Sequence, residues 1–197
     1  MNTFEQLLLN TGLSWTASKL LPFLLSILLG AFSAYLFRNK KFKLKALNYL
    51  KNALIIILPF SIYFAFYPIY EGDFYKLGVS NSTKYNFPLK KTLNIFVLPE
   101  CPFCLQTIPT VKLLQKRNPK MKINYIIMST KNARPYGIAL KIPRECNIHF
   151  ETDAVKSAQI THGSFPCYVL TKNKRIVKVW RTEHFGTKAL DEIEAYF

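Results

Sequence analysis

Residues 93 to 116 read LNIFVLPECPFCLQTIPTVKLLQK, and their order decides the fold of the C-terminal half of the chain. Leu93 to Leu98 is a short, nearly continuous apolar run closed by Pro99, the pattern of a strand buried on both faces. From Pro102 to Lys116, Leu105, Ile108, Val111, Leu113 and Leu114 recur at helical spacing. Between strand and helix stands Cys101-Pro102-Phe103-Cys104, the context in which a C-x-x-C has a redox meaning. Cys101 falls at the helix N-terminus, where unpaired N–H groups and the helix dipole favour a thiolate. Its pKa is therefore expected below the free value of about 8.5. Two intervening residues bring Cys104 round on the first turn within disulfide reach. The pair can then cycle: Cys101 attacks a disulfide, a mixed disulfide forms, and Cys104 resolves it. Pro102 suits the first helical position, where its missing N–H goes unused.

Downstream, Ile123 to Met128 (INYIIM) reads as a second buried strand. Ala133 to Cys146 is partly helical and interrupted by Pro135 and Pro143, and Asn147 to Phe150 is a short extended piece. Thr152 to Ile160 is a helix with Asp153 in its first turn. Cys167 to Thr171 and Arg175 to Arg181 form a hairpin across the polar stretch Lys172-Asn173-Lys174, and Lys188 to Tyr196 closes as a helix. The order is βαβ, helical insertion, α, ββ, α. It predicts an α/β domain over residues 91–197, a mixed sheet of about four strands covered by helices.

Upstream, two runs of 18 residues carry no charge, Leu20 to Phe37 and Ala53 to Tyr70. Each spans roughly 27 Å as a helix, close to the hydrocarbon thickness of a bilayer. Trp15, Tyr35, Tyr67 and Tyr70 sit near their ends, where interfacial aromatics belong. The stretch 38–52 between them holds Arg38, Lys40, Lys41, Lys43, Lys45 and Lys51 without an acid, and basic short loops stay in the cytoplasm. Residues 1–70 thus read as an N-terminal tail and a transmembrane hairpin, with spans about 20–37 and 53–70. In a bacterium this hairpin sits in the inner membrane, with everything after Tyr70 on the periplasmic or extracellular side. Residues 71–90, with Gly78, Asn81, Ser82, Thr83, Asn86 and Pro88, show no sustained periodicity and read as a tether.

Composition sets outer bounds. The 197 residues are half apolar, with only 7 glycines and four cysteines, which excludes a collagen-like chain and a disulfide-dense mini-protein. The formal net charge is +16, and from Glu71 onward 20 basic residues face 10 acidic ones. Given its side of the membrane, this surplus fits anionic lipid or acidic protein partners rather than nucleic acid.

The C-terminal domain resembles the thioredoxin superfamily. The resemblance rests on Cys101-x-x-Cys104 after a strand, on Pro109 where the family's active-site helix is kinked, and on Gly163-Ser164-Phe165-Pro166 before the final hairpin, where the family carries a cis-proline. Gly186 precedes the last helix much as a family glycine does. The region from Ala158 to Val177 looks most like the membrane-tethered periplasmic branch. The resemblance implies a nucleophile at Cys101, a resolving thiol at Cys104, and a substrate groove shaped by Pro102, Phe103, Phe165 and Pro166. No cofactor is implied beyond the redox-active disulfide. Two positions depart from the family: Glu100 stands where tryptophan is common, and the family's buried acid aligns with Ile95. Glu100 would oppose a neighbouring thiolate, yet could accept a proton.

The implied activity is that of a membrane-anchored, extracytoplasmic thiol:disulfide oxidoreductase acting on protein thiols or disulfides. Reductase, isomerase and oxidase all fit. The alternative, from a different class, is a non-catalytic adaptor or assembly subunit whose Cys101–Cys104 bond is static. Neither apolar run contains a cysteine, so electrons must come from or go to a separate membrane donor or acceptor. Cys146 and Cys167 have two readings, a structural disulfide stapling the helical insertion to the core or two buried thiols. No metal site is expected: only one C-x-x-C is present, and His149, His162 and His184 have no ligand spacing.

Overall fold

The computed structural model describes residues 2–37, 45–73, 85, 87–88, 90–128 and 136–197. The chain divides into two compact units, Met1–Tyr70 and Glu71–Phe197. Of the basic stretch, Arg38, Lys40, Lys41 and Lys43 lie outside the described residues, as does the 129–135 part of the helical insertion.

The first unit holds three helices: α1 (Thr3–Asn10), α2 (Trp15–Leu36) and α3 (Lys45–Phe66). The sequence predicts a tail for the first residues, but a reciprocal capping box folds them. The Asn2 side chain accepts from the Glu5 N–H at 2.7 Å, and the Glu5 carboxylate accepts from the Asn2 N–H at 2.9 Å. Both long helices start earlier than the uncharged runs. α2 opens on Ser14, whose hydroxyl accepts from the Ala17 N–H, and α3 already includes Lys45 and Lys51. α3 stops at Phe66, because Pro68 disfavours helical geometry in the residue before it. α2 and α3 cross where Gly30 faces Ile56: a Cβ on Gly30 would stand 2.8 Å from the Ile56 Cα, so only glycine admits this approach. Lys19, inside α2, has a partner in the buried Glu5 at 3.7 Å. Trp15–Leu36 and Leu47–Phe66 are each long and apolar enough to cross a bilayer.

The second unit has the thioredoxin-like fold. Its strands are β1 (Thr92–Val97), β2 (Ile123–Met128), β3 (Asn147–Glu151), β4 (Cys167–Lys172) and β5 (Arg175–Trp180), in the order β3-β2-β1-β4-β5. β1, β2 and β3 run parallel, and β4 and β5 add antiparallel. Its helices are α4 (Pro102–Arg117), α5 (Tyr136–Ala139), α6 (Ala154–Thr161) and α7 (Thr187–Tyr196). Every residue of β1 is buried, as its nearly continuous apolar pattern predicts.

α4 and α7 are tied by the Arg117–Glu194 pair, with Nε–Oε1 at 2.6 Å and Nη2–Oε2 at 3.0 Å. Elsewhere Phe96, Ile126, Cys167 and Val169 pack with Ile160 of α6 and with Phe87. The hairpin between β4 and β5 turns on Asn173 and Lys174, both at positive φ (51° and 64°), the conformation that tight two-residue turns require.

Five strands stand where about four are expected, and the fifth is the short piece at Asn147. Its recruitment has a visible cause. Asn94, Asn124 and Asn147 are direct register partners on β1, β2 and β3. Asn124 Nδ2 donates to Asn94 Oδ1 at 2.9 Å, and Asn147 Nδ2 to Asn124 Oδ1 at 3.0 Å. Asn94 Nδ2 extends the chain to Thr171 Oγ1 on β4 at 3.0 Å. A one-residue slip would leave the buried amides of Asn94 and Asn124 unpaired, so the ladder specifies register. The pattern of apolar residues gave no sign of it.

Both ends of the stretch read as a tether are packed, while residues 74–84, 86 and 89 lie outside the described residues. At the near end, Glu71–Asp73 forms a single 3-10 turn. Asp73 Oδ1 accepts from the Thr187 N–H at 3.1 Å and so caps α7, whose own N-cap, Gly186, has no side chain to do it. A Cβ on Gly186 would overlap the Gly72 carbonyl, so glycine is required where the turn meets the helix. At the far end, Phe87 is buried in the core, and the Tyr85 hydroxyl donates to Glu151 Oε2 at 3.0 Å.

Candidate active site

β1 delivers the chain through Leu98-Pro99-Glu100 to Cys101, which is the N-cap of α4. Its backbone is extended (φ −88°, ψ 113°), and the Leu105 N–H donates to its carbonyl at 3.2 Å. The Cys101 Sγ accepts from the Cys104 N–H at 3.1 Å, occupying the place of a serine or aspartate cap. Cys101 and Cys104 are paired as a disulfide, with Cα atoms 5.2 Å apart. Pro102 takes the first helical position, as its sequence place implies.

The two sulfurs differ in access. Cys104 is fully buried, whereas Cys101 is partly exposed and flanked by exposed Pro102 and by Phe103, which is 63 % exposed. An incoming sulfur therefore reaches Cys101 and not Cys104. When the bond is reduced, the donor at the Cys104 N–H and the helix dipole remain to stabilise negative charge on Cys101.

Beneath Cys104 lies a hydroxyl chain that motif reading did not find. Thr107 Oγ1 donates to the Cys104 carbonyl at 2.7 Å and lies 3.4 Å from the Tyr125 hydroxyl. Burial pushes the Tyr125 pKa well above its usual value, with Thr107 opposing and Cys146 adding to the rise, so the phenol keeps its proton. The signal was present in the buried strand INYIIM, where a tyrosine carries the one hydroxyl, but its alignment under α4 needs the register. Tyr125, Ile95 and Tyr168 are register partners across β2, β1 and β4. Ile95, where the thioredoxin resemblance would place an acid, is thus an apolar position flanked by two phenols. Glu100 is exposed in the turn before Cys101.

The Phe165–Pro166 bond is cis. Cys167 pairs with Phe96, so Pro166 lies one step further toward the end of β1 that leads into Cys101. Register thus brings Phe165 and Pro166 to the same end of the sheet as the cysteine pair. The Pro166 carbonyl accepts from Thr182 Oγ1 at 2.9 Å, and Ser164 Oγ donates to Glu183 Oε2 at 3.3 Å. These bonds tie the loop to the Thr182–His184 turn. His162 is an exposed C-cap of α6 in left-handed geometry (φ 51°), and its N–H donates to the Ala158 carbonyl at 2.8 Å.

Of the two readings for Cys146 and Cys167, no staple joins them: both are free and buried. The topology separates them. Cys146 immediately precedes β3 at one edge region of the sheet, and Cys167 opens β4, three strands across. At about 4.8 Å per strand this is roughly 14 Å, twice the Cα separation a disulfide tolerates. Burial pushes the Cys146 thiol up to about 11, with Glu145 adding to the rise. Burial likewise pushes Cys167 up to about 12, against a lowering by Arg181 and with a further rise from Glu183. Among the described residues no group of three or more His, Cys, Asp or Glu is placed to hold a metal ion.

No family model matches the chain, and no curated protein matches it. Among solved structures it is similar to a secreted disulfide oxidoreductase of Mycobacterium tuberculosis described as homologous to E. coli DsbE, at 18 % identity over 55 % of this chain and 82 % of that one, with a TM-score of 0.44. It is also similar to the thioredoxin domain of a thiol-disulfide oxidoreductase from Bacteroides vulgatus, at 17 % identity over 55 % and 79 % of the two chains, TM-score 0.42. A third similarity is to StoA from Bacillus subtilis, at 18 % identity over 53 % and 81 %, TM-score 0.41.

Proposed function

We propose that this chain is a membrane-anchored thiol:disulfide oxidoreductase whose thioredoxin-like domain works outside the cytoplasm on protein thiols or disulfides. The observation that carries the reading is the Cys101 sulfur at the helix N-cap, partly exposed and hydrogen-bonded to the Cys104 N–H, with its partner sulfur buried behind it. A static bond needs no exposed member and no thiolate-stabilising donor.

In the reducing direction the Cys101 thiolate attacks one sulfur of a substrate disulfide, forming a Cys101–substrate bond and expelling the other substrate sulfur as a thiolate. Cys104 then loses its proton and attacks Cys101, closing the internal disulfide and releasing the second substrate thiolate. Two electrons pass from the pair to the substrate. The oxidising direction is the reverse. Exposed Pro102 and Phe103 and half-buried Phe165 line the surface on which an extended substrate segment lies, the buried Pro166 shapes it from behind, and the exposed Phe103 ring supports that role. Glu100, exposed in the turn before Cys101, is the candidate to accept the proton of the attacking thiol. A separate membrane donor or acceptor resets the pair.

Anchoring is supported by the outward faces of α2 and α3. Leu28, Leu29 and Phe32 on the first, and Leu54, Leu58 and Ile62 on the second, are all more than half exposed, which a soluble core helix does not show. The orientation rests on the basic stretch 38–52 and the positive-inside rule.

The test is capture in intact cells. Cys104→Ser should accumulate mixed disulfides through Cys101, and Cys101→Ser should form none. If neither variant differs from the parent in turnover and adducts, the exchange mechanism is wrong and the adaptor reading takes its place.

A further inference from the structure

At the other end of the sheet from the cysteine pair, the last turns of α4, the 119–123 connection and residues 140–147 enclose a groove of about 1080 Å³. It is lined by six cations, Lys112, Lys116, Lys120, Lys122, Lys141 and Arg144, against one acid, Glu145. All six are exposed, and among the described residues none of them forms an ion pair. Their neighbours are treated differently: Arg117, next to Lys116, is held by Glu194, and Lys178 by Glu192 at 2.6 Å. Like charges gathered on one concave surface raise its potential and favour an anion from outside.

Leu140 distinguishes among anions. It stands among these cations and is 81 % exposed. A free phosphate gains nothing from it, whereas a lipid surface meets both, with the cations at the phosphates and the leucine at the boundary of headgroup and acyl chain. We propose that this groove docks the domain on the phosphodiester headgroups of an anionic bilayer. The inference rests on the reading that the chain is membrane-anchored, which keeps the domain beside such a surface. α4 has 16 residues and is about 24 Å long, so docking by its last turns turns the Cys101 end outward, toward soluble partners.

The experiment uses the full chain in nanodiscs of phosphatidylcholine alone or with roughly 30 % phosphatidylglycerol, and reads hydrogen exchange of the amides at 120–123 and 140–146. The anionic discs should slow exchange there by about threefold or more, and about 0.5 M salt should abolish the difference. Each cation contributes about fivefold to lipid partition. The combined variant Lys116→Glu, Lys120→Glu, Lys141→Glu and Arg144→Glu should therefore erase the protection, and the corresponding Gln variant should weaken it. Turnover of a small disulfide by both variants should match the parent and shows that they fold. Equal exchange on the two discs overturns the inference. So does protection by inorganic phosphate or by a polyglutamate peptide on phosphatidylcholine discs, which would assign the groove to a soluble anion or an acidic chain. Docking lost with disc insertion and turnover intact overturns this inference alone. A chain that enters neither disc overturns the anchoring reading and this inference with it.

Discussion

Cys101 and Cys104 share one turn of α4, with one sulfur at the surface on an N–H donor and the other buried behind it. Cys146 and Cys167 lie three strands apart, both buried, with both thiols pushed up by desolvation. On the proposed function, the same side chain is reactive in one setting and inert in the other. Two effects decide it: hydrogen-bond donation to the sulfur favours the thiolate, and loss of water disfavours it. Where neither a donor nor an exit to solvent is present, a cysteine behaves as a small apolar residue.

The comparison breaks most visibly in turnover. Cys101→Ser should lower exchange by a factor on the order of 10³ or more, while Cys146→Ala should leave it within about threefold, measured on a protein disulfide. A Cys146 effect as large as that of Cys101 would give the second pair a role the geometry does not.

Alkylation sharpens the contrast without a substrate. In the reduced, folded chain at pH 8, Cys101 should react at least about a hundredfold faster than Cys146 or Cys167, because thiols near 11 and 12 are thiolate in less than about one part in a thousand there. In denaturant all four should react alike. Mild oxidation of the folded chain should close one bond, Cys101–Cys104, as read by mass under non-reducing conditions.

A smaller effect concerns alkaline stability. The thiols of Cys146 and Cys167, which titrate between about 8.5 and 9 when free, keep their protons in the native state to about 11 and 12. Above pH 9 the unfolded chain binds fewer protons than the native one, so stability falls as pH rises, beginning near 9 and continuing toward 11 and 12. Below pH 9 this contribution is complete. The buried phenols of Tyr125 and Tyr168 are raised in the same direction, so the thiol share is read from the difference between parent and Cys167→Ala. The variant should be less stable at pH 7 by about 1–2 kcal/mol and should lose less between pH 8 and 10, in thermal melts.

The Cys101–Cys104 pairing was legible in the sequence because its determinants are local: a strand, a two-residue spacing, and a proline at the first helical position. The hairpin at Asn173-Lys174 followed from short-range turn chemistry, and the place of Pro166 before it from the resemblance to the thioredoxin superfamily. What stayed hidden depends on lateral register. Asn94, Asn124 and Asn147 are polar residues scattered over three segments until pairing lines them up, and only then does the fifth strand acquire a reason. Thr107 and Tyr125 likewise meet only when α4 lies across β2. The separation of Cys146 from Cys167 is a property of strand order, which cysteine spacing does not encode. The capping box at Asn2 and Glu5 is a short-range signal that lies outside both apolar runs.

The central claim is that the Cys101 sulfur is a stabilised thiolate when the pair is reduced. The direct measurement is the pH dependence of its alkylation rate in the reduced full chain carrying Cys104→Ser, where Cys101 is the one accessible thiol among the described residues. The account requires an inflection clearly below about 8.5 that moves up toward that value on unfolding. An inflection at or above 8.5 in the folded chain, or no change on unfolding, would contradict it.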